Sequence, residues 1–185
     1  MMRKINVIGI VGLIGAGKDT AADYIAEKYG YEIISFRDLV KEVTEKEGLE
    51  PTRENLQMTG KKYRERYGRE YFSKLAVEKA KSIEKSILKE MRTKEDVELP
   101  KKVFGKSIVV INIEAEKALR FERLRKRARL GDPKTMEAFE AQERREQELG
   151  YTKAIDFADV TIQNNSTFDD LYKRIDEAMK DINLG

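Results

Sequence analysis

The sequence predicts a three-layer α/β fold with a parallel sheet of about five strands between helical layers. Three observations predict it. Ile5–Val11 and Ile108–Ile113 are almost wholly apolar, as strands buried on both faces are. Segments with helical spacing alternate with such strands, beginning with a strand–helix–strand unit over residues 5–36. The chain has 185 residues, enough for one sizeable domain that buries about 70% of its extended surface. No repeat, low-complexity tract or linker divides residues 1–185, so a single domain is expected.

A glycine-rich turn follows the first strand. The helix after it runs to about Tyr29, with Ala21, Ala22, Ile25 and Ala26 at helical spacing and Gly30 as its C-cap. Tyr31–Phe36 is the expected second strand. Asp38–Glu47 reads as a helix ending near Gly48, and Thr52 as the N-cap of the next, which reaches Tyr67-Gly68. A further helix starts near Glu70. Ser86–Met91 has the length of a strand but contains Lys89 and Glu90, which leaves its state open. Ala115–Leu130 is a very basic helix, Gly131-Asp132-Pro133 a hinge, and Thr135–Leu149 another helix. Asp159–Gln163 is the last strand and Phe168–Met179 the last helix, capped by Thr167.

Composition removes whole classes of chemistry. With 37 Lys+Arg against 34 Asp+Glu the net charge is only +3, which argues against binding nucleic acid by bulk charge. No Cys and no His means no disulfide, thiolate nucleophile, imidazole ligand or Ser-His-Asp triad. Acid–base work falls to Asp, Glu, Lys or Tyr. No apolar run is long enough to span a membrane, and the start Met1-Met2-Arg3-Lys4 leads into a short, glycine-broken stretch rather than a signal peptide. A soluble, cytoplasmic chain is expected.

The decisive motif is Gly12-Leu13-Ile14-Gly15-Ala16-Gly17-Lys18-Asp19-Thr20, a G-x-x-x-x-G-K loop where a buried strand gives way to a helix. Glycines let successive backbone N–H groups converge on phosphate oxygens, and the helix presents its positive end to the same anion. Lys18 adds a mobile charge that can follow a transferred phosphoryl group. Asp19 stands where a Ser or Thr is usual, with Thr20 one place later. Asp19 can hold Mg²⁺, directly or through water and supported by Thr20, or it can simply favour the helix end.

Gly15-Ala16-Gly17-Lys18-Asp19-Thr20 resembles the loop of adenylate kinases, and still more that of phage-type deoxynucleoside monophosphate kinases. Dephospho-CoA kinases and a group of archaeal adenylate-kinase-related proteins share the tail pattern Ala158-Asp159 to Asn164-Asn165. The resemblance to this nucleoside monophosphate kinase branch of P-loop proteins covers nearly the whole chain. It implies the P-loop NTPase fold with a helical lid at about 120–150 and an acceptor-binding helical insertion at about 37–85. It implies ATP and Mg²⁺ as cofactors and small nucleotides as substrates, with oligomeric state left open.

Arg120, Arg123, Arg125, Lys126, Arg127 and Arg129 crowd one stretch, and helical spacing puts Arg120, Arg123 and Arg127 on one face. Such a run can be a solvated basic helix, an RNA-binding one, or a lid whose arginines stabilise migrating charge. By resemblance Arg123 and Arg127 face ATP and Arg144 or Arg145 closes from the other side. Asn164 and Asn165 line the adenine pocket by the same resemblance, or form an ordinary turn. On the acceptor side, Arg37 and Asp38 follow the second strand, near the carboxyl ends of the strands where such folds bind ligands. Asp38 is a candidate base, or equally a helix N-cap. Arg53, Arg64, Arg69 and Arg92 are candidates for the acceptor phosphate, with surface pairing as the alternative.

One position departs from the relatives. Where they carry an acid near the end of the strand after these helices, this chain has Lys89. Glu90 could substitute only through a one-residue shift that reverses side-chain facing. The expected activity is ATP-dependent phosphoryl transfer to a phosphorylated acceptor, foremost a (deoxy)nucleoside monophosphate, with dephospho-CoA as the competing acceptor. Lys89 also leaves room for a nucleotide-binding or regulatory protein with weak catalysis.

Overall fold

Strands β1 (Val7–Val11), β2 (Glu32–Ser35), β3 (Ser86–Lys89), β4 (Ile108–Glu114) and β5 (Val160–Gln163) form one parallel sheet in the order β2-β3-β1-β4-β5. The computed structural model describes residues 5–184. Period-two alternation sorts the apolar strands between two cores. Ile8, Ile10, Ile87, Ile111 and Ile113 pack with α1 (Lys18–Tyr29) and α8 (Phe168–Leu184) through Ala22, Ile25, Leu171 and Ile175. Val7, Val11, Leu88 and Val110 pack on the other face with Phe36, Leu39, Phe72 and Val97. Those four come from α2 (Phe36–Lys46), α4 (Tyr71–Lys81) and α5 (Lys94–Phe104). The three-layer expectation holds.

The remaining helices are α3 (Arg53–Tyr67), α6 (Lys117–Arg127) and α7 (Met136–Glu148), with short 3₁₀ turns at Gly105–Ser107 and Lys153–Phe157. Gly30 closes α1 in the left-handed conformation, Thr52 Oγ1 caps α3 and Thr135 Oγ1 caps α7. The basic helix is shorter than the sequence suggests, because Ala128 turns left-handed (φ 49°) and ends α6.

Two elements are settled only by the structure. Ser86–Lys89 is a true inner strand despite its lysine, since only that last residue reaches the sheet edge. Residues 94–104 form a helix that Pro100 and six charged residues disguise. Its start is fixed by Asp96, a buried carboxylate that accepts the N–H groups of Arg92 and Thr93 at 3.0 Å each and the Ser73 hydroxyl at 3.2 Å.

Parallel pairing brings the C-terminal ends of all five strands to one edge. The loops after β1 and β3, and the helix start after β2, therefore meet there, where doubly wound sheets bind ligands.

Candidate nucleotide-binding site

The loop from Gly12 to Gly17 is moulded against the neighbouring strands and α6. A Cβ at Gly15 (φ 78°) would lie 2.6 Å from the Arg120 carbonyl oxygen, and one at Gly17 (φ 99°) 2.3 Å from Asn164 Nδ2. Either side chain would be strained in the backbone and blocked in space. Gly12 leads directly out of β1, and Ala16 is fully buried. Gly17 precedes α1 without a side-chain cap, which leaves the first helix amides facing the loop.

Lys18 opens α1 and folds its Nζ back onto the Leu13 carbonyl at 2.9 Å. Burial and then the nearby Arg92 guanidinium push its pKa down to about 8, while Asp19, Glu146 and Glu90 pull the other way. An ammonium desolvated in this way gains most from an incoming anion.

Asp19 does not serve as a free cation ligand. Lys89 Nζ donates to Asp19 Oδ1 at 3.2 Å, which answers what the lysine does at the expected acid position. Lys89 is in register with Ile10 of β1, on the same side of β3 as Ile87, and so faces the first turn of α1. With Asp19 Oδ1 engaged by Lys89 and half-buried Thr20 beside it, these two side chains would hold Mg²⁺ only in competition with that ammonium. No group of three metal-ligating side chains occurs among the described residues.

Glu90 reaches the site without any strand shift. Its φ of 64° turns it out of the strand, and it accepts the Ser35 hydroxyl at 2.5 Å. A positive φ at a non-glycine residue costs about 1–3 kcal/mol and is found where function holds it. Ser35 Oγ in turn accepts the Asp38 N–H, so Ser35, not Asp38, is the N-cap of α2. Arg37 and Asp38 are exposed on the first turn of α2.

The arginines fall into three groups. Arg123 donates to the Asn164 carbonyl at 2.8 Å and to Asn164 Oδ1 at 3.4 Å, and its other nitrogen, Nη1, is buried with no protein partner among the described residues. Arg64 lies 5.0 Å over the Phe72 ring with Nε likewise buried and unpartnered. Arg92 is close enough to depress Lys18. Arg92 and Arg123 thus stand near the loop, while Arg64 lies on α3 against Phe72.

Arg120 and Arg127 are committed elsewhere, because each satisfies its guanidinium within the protein. Arg120, 4% exposed, donates to the Ala115 and Ile14 carbonyls, pairs with Glu143 at 2.5 Å and covers the Phe139 ring. It is a strut from the glycine loop to α7, not a free lid arginine. Arg127 grips Asp132 through two hydrogen bonds of 2.9 and 2.5 Å and fixes the hinge.

Arg53, Arg69, Arg144 and Arg145 are exposed. The Arg53 guanidinium lies against the hinge, 2.6 Å from where a Cβ at Gly131 would stand. Arg69, its side chain 83% exposed, pairs loosely with Glu95 at 3.6 Å, which places it on the outer surface. Asn164 braces the loop: it is buried, and its Nδ2 donates to the Ala16 carbonyl at 2.8 Å. Asn165 caps the start of α6 by accepting the Glu116 N–H.

Sequence reasoning missed the partners rather than the loop. The sequence alone does not show the role of Ser35, the pairing of Lys89 with Asp19 or the Asp96 brace under Arg92. Only Asp96 had a local signal, the Thr93-x-x-Asp96 spacing of a helix start.

The AAA_17 family, described as an AAA domain, matches residues 11–140. A UPF0200 protein of Methanocaldococcus jannaschii is 36% identical over 180 residues, covering 95% of this chain and 90% of its own length. The chain belongs to both families. A UPF0200/UPF0201 protein of Archaeoglobus fulgidus is 32% identical over 179 residues, and the chain spans only 55% of that relative's length.

Three solved structures share the fold of this UPF0200 chain at low identity. A gluconokinase from Sinorhizobium meliloti has 14% identity and a TM-score of 0.64, covering 98% of this chain and 95% of its own. A shikimate kinase from Acinetobacter baumannii, in complex with shikimate, has 18% and 0.58, covering 99% and 97%. A dephospho-CoA kinase from Campylobacter jejuni has 16% and 0.51, covering 97% and 98%. The UPF0200 chain therefore has the P-loop kinase fold. Among its described residues no helix is long and apolar enough to cross a membrane.

Proposed function

We propose that this chain is a small-molecule kinase. It would transfer the γ-phosphoryl group of ATP to a phosphorylated, nucleotide-type acceptor, foremost a nucleoside or deoxynucleoside monophosphate. The observation that carries this reading is the Lys18 loop: glycines strained and blocked against Arg120 and Asn164, with a desolvated ammonium over the start of α1.

In this reading the loop amides and Lys18 hold the donor phosphates, and Arg123 offers its unpartnered Nη1 from the β5 side. Arg64 and Arg92 receive the charge of the acceptor. Catalysis is positioning plus stabilisation of charge spread over the migrating group. A monophosphate acceptor is largely ionised at neutral pH and needs no strong base.

Glu90 favours a second reading, a hydroxyl acceptor such as that of dephospho-CoA. Its carboxylate, held against Ser35 and near Lys18, is the group that would take a hydroxyl proton, in place of Asp38.

A coupled ADP-release assay over nucleoside monophosphates, deoxynucleoside monophosphates and dephospho-CoA tests both. Turnover with a monophosphate, unchanged within a few-fold in Glu90→Gln, supports the first reading. Turnover only with dephospho-CoA, falling about 100-fold or more in Glu90→Gln, supports the second. ATP binding with no acceptor-dependent turnover overturns both and leaves a nucleotide-binding protein.

A further inference from the structure

We propose that Lys89 is a second phosphate-binding ammonium, standing where P-loop kinases keep their metal, so that this chain binds nucleotide with little dependence on Mg²⁺. The inference rests on the nucleotide reading of the Lys18 loop and goes beyond it. In a P-loop the side chain directly after the lysine faces the bound metal beside the β- and γ-phosphates. Here that side chain is Asp19, and the group facing it at 3.2 Å is an ammonium.

The placement is built into the sheet rather than being a chance surface contact. Lys89 is the last residue of an inner strand, paired with Ile10 on one side and Ser35 on the other, and only a fifth of its side chain is exposed. Alternation with Ile87 sends it to the α1 face. Burial disfavours the charge, yet Asp19, Glu90 and Asp23 outweigh it and hold the pKa above the usual lysine value, so the group stays an ammonium at any working pH. Glu90, the neighbouring acid, accepts the Ser35 hydroxyl through its left-handed backbone. The end of β3 thus carries an ammonium and a carboxylate side by side, and the ammonium is the one that faces α1. Lys18 opens α1 and Lys89 reaches its first turn through Asp19, so in this reading a polyphosphate on the loop draws on both ammonium groups, Lys89 by exchanging the Asp19 carboxylate for a phosphate oxygen.

An ammonium and a divalent cation a few ångströms apart repel, so the lysine and the metal compete for one place. Lys89 cannot copy the metal's coordination geometry, but it supplies charge and up to three donors to the same oxygens.

The test measures ATP affinity by calorimetry with excess Mg²⁺ and with EDTA, for the wild-type chain, Lys89→Met and Lys89→Arg. Thermal melts confirm that each variant is folded. The wild-type affinity is expected to agree within about threefold between the two conditions. Lys89→Met should lose about tenfold or more in EDTA, as expected for losing one charged hydrogen-bond donor, and should become metal-dependent. Lys89→Arg, which keeps the charge, should behave as wild type. A wild-type affinity that rises tenfold or more with Mg²⁺ and is unchanged in Lys89→Met overturns this inference alone. Absence of ATP binding to the wild-type chain in both conditions overturns it together with the nucleotide reading.

Discussion

The glycine loop and the outer helices α3 and α7 are built in opposite ways. The loop is enclosed: Ala16, Asn164 and Arg120 are buried, and its carbonyls at Ile14 and Ala16 accept side-chain donors from elements more than a hundred residues away. These helices are open: α3 buries only Thr59 and Gly60 and α7 only Phe139, and Arg53, Arg69, Arg144 and Arg145 reach solvent. A donor phosphate is the same whatever the acceptor, so its cradle can be rigid. Helices that carry few buried groups open at low free-energy cost, which suits an arm and lid that close on a variable acceptor.

The comparison breaks most visibly at Arg120, which ties the loop to α7. Arg120→Met removes the bonds to Ile14 and Ala115 and leaves Glu143 without its partner. Breaking a pair this buried costs about 3 kcal/mol of folding stability. Denaturant midpoints at constant slope would show it, and a loss below about 1 kcal/mol would mean that loop and α7 are not energetically joined.

Gly17→Ala strikes the rigid region alone. The left-handed backbone costs about 1–2 kcal/mol, and Asn164 Nδ2 cannot withdraw freely because the same amide is held between Ala16 and Arg123. The expected result is a loss of about 2 kcal/mol, read by thermal melts, together with weakened ATP binding by calorimetry. An unaffected melting temperature would show that the loop can move off Asn164.

What the sequence disclosed follows the same division. The G-x-x-x-x-G-K spacing, the apolar strands and the caps at Gly30, Thr52 and Thr135 are local signals, and each stands where local physics puts it. Helix α5 stayed hidden because Pro100 and a run of charges mask its pattern, while the carboxylate that starts it is satisfied by Ser73, over twenty residues back. The arginines of α6 look alike in sequence and differ only by what folds against them: Glu143 for Arg120, Asn164 for Arg123, Asp132 for Arg127. Glu90 could not be placed by strand periodicity, since a positive φ at a non-glycine residue obeys no period.

Lys18 sharpens the comparison through pH. Its pKa in the folded chain is about 8, below the lysine value of 10.5, so between those pH values the unfolded chain holds a proton that the folded chain has shed. Folding stability from this group therefore rises with pH across that window. Phosphate oxygens reverse the shift by favouring the ammonium. ATP binding at pH 9 is expected to take up a sizeable fraction of a proton, measured by calorimetry in buffers of different ionisation enthalpy. Affinity should fall as pH climbs past 8. Binding at pH 9 with no proton uptake would show that Lys18 does not meet the nucleotide.

The smallest expected effect belongs to the open region. Arg69 was a candidate for the acceptor phosphate, and its guanidinium instead extends into solvent with a 3.6 Å contact to Glu95. Exposed pairs of that length contribute between nothing and about 1 kcal/mol, and salt screens them further. Arg69→Ala should change stability by less than about 0.5 kcal/mol and leave acceptor turnover within twofold. Arg64→Ala, by contrast, removes a guanidinium stacked on Phe72 whose Nε has no protein partner, so it should raise the acceptor KM by about tenfold while ATP affinity holds. The pair of variants separates an arginine in solvent from one held against Phe72. If Arg69→Ala also raises the acceptor KM, the arm swings through a larger arc on closing than its resting position implies. In that case its exposed arginines belong to the binding site after all.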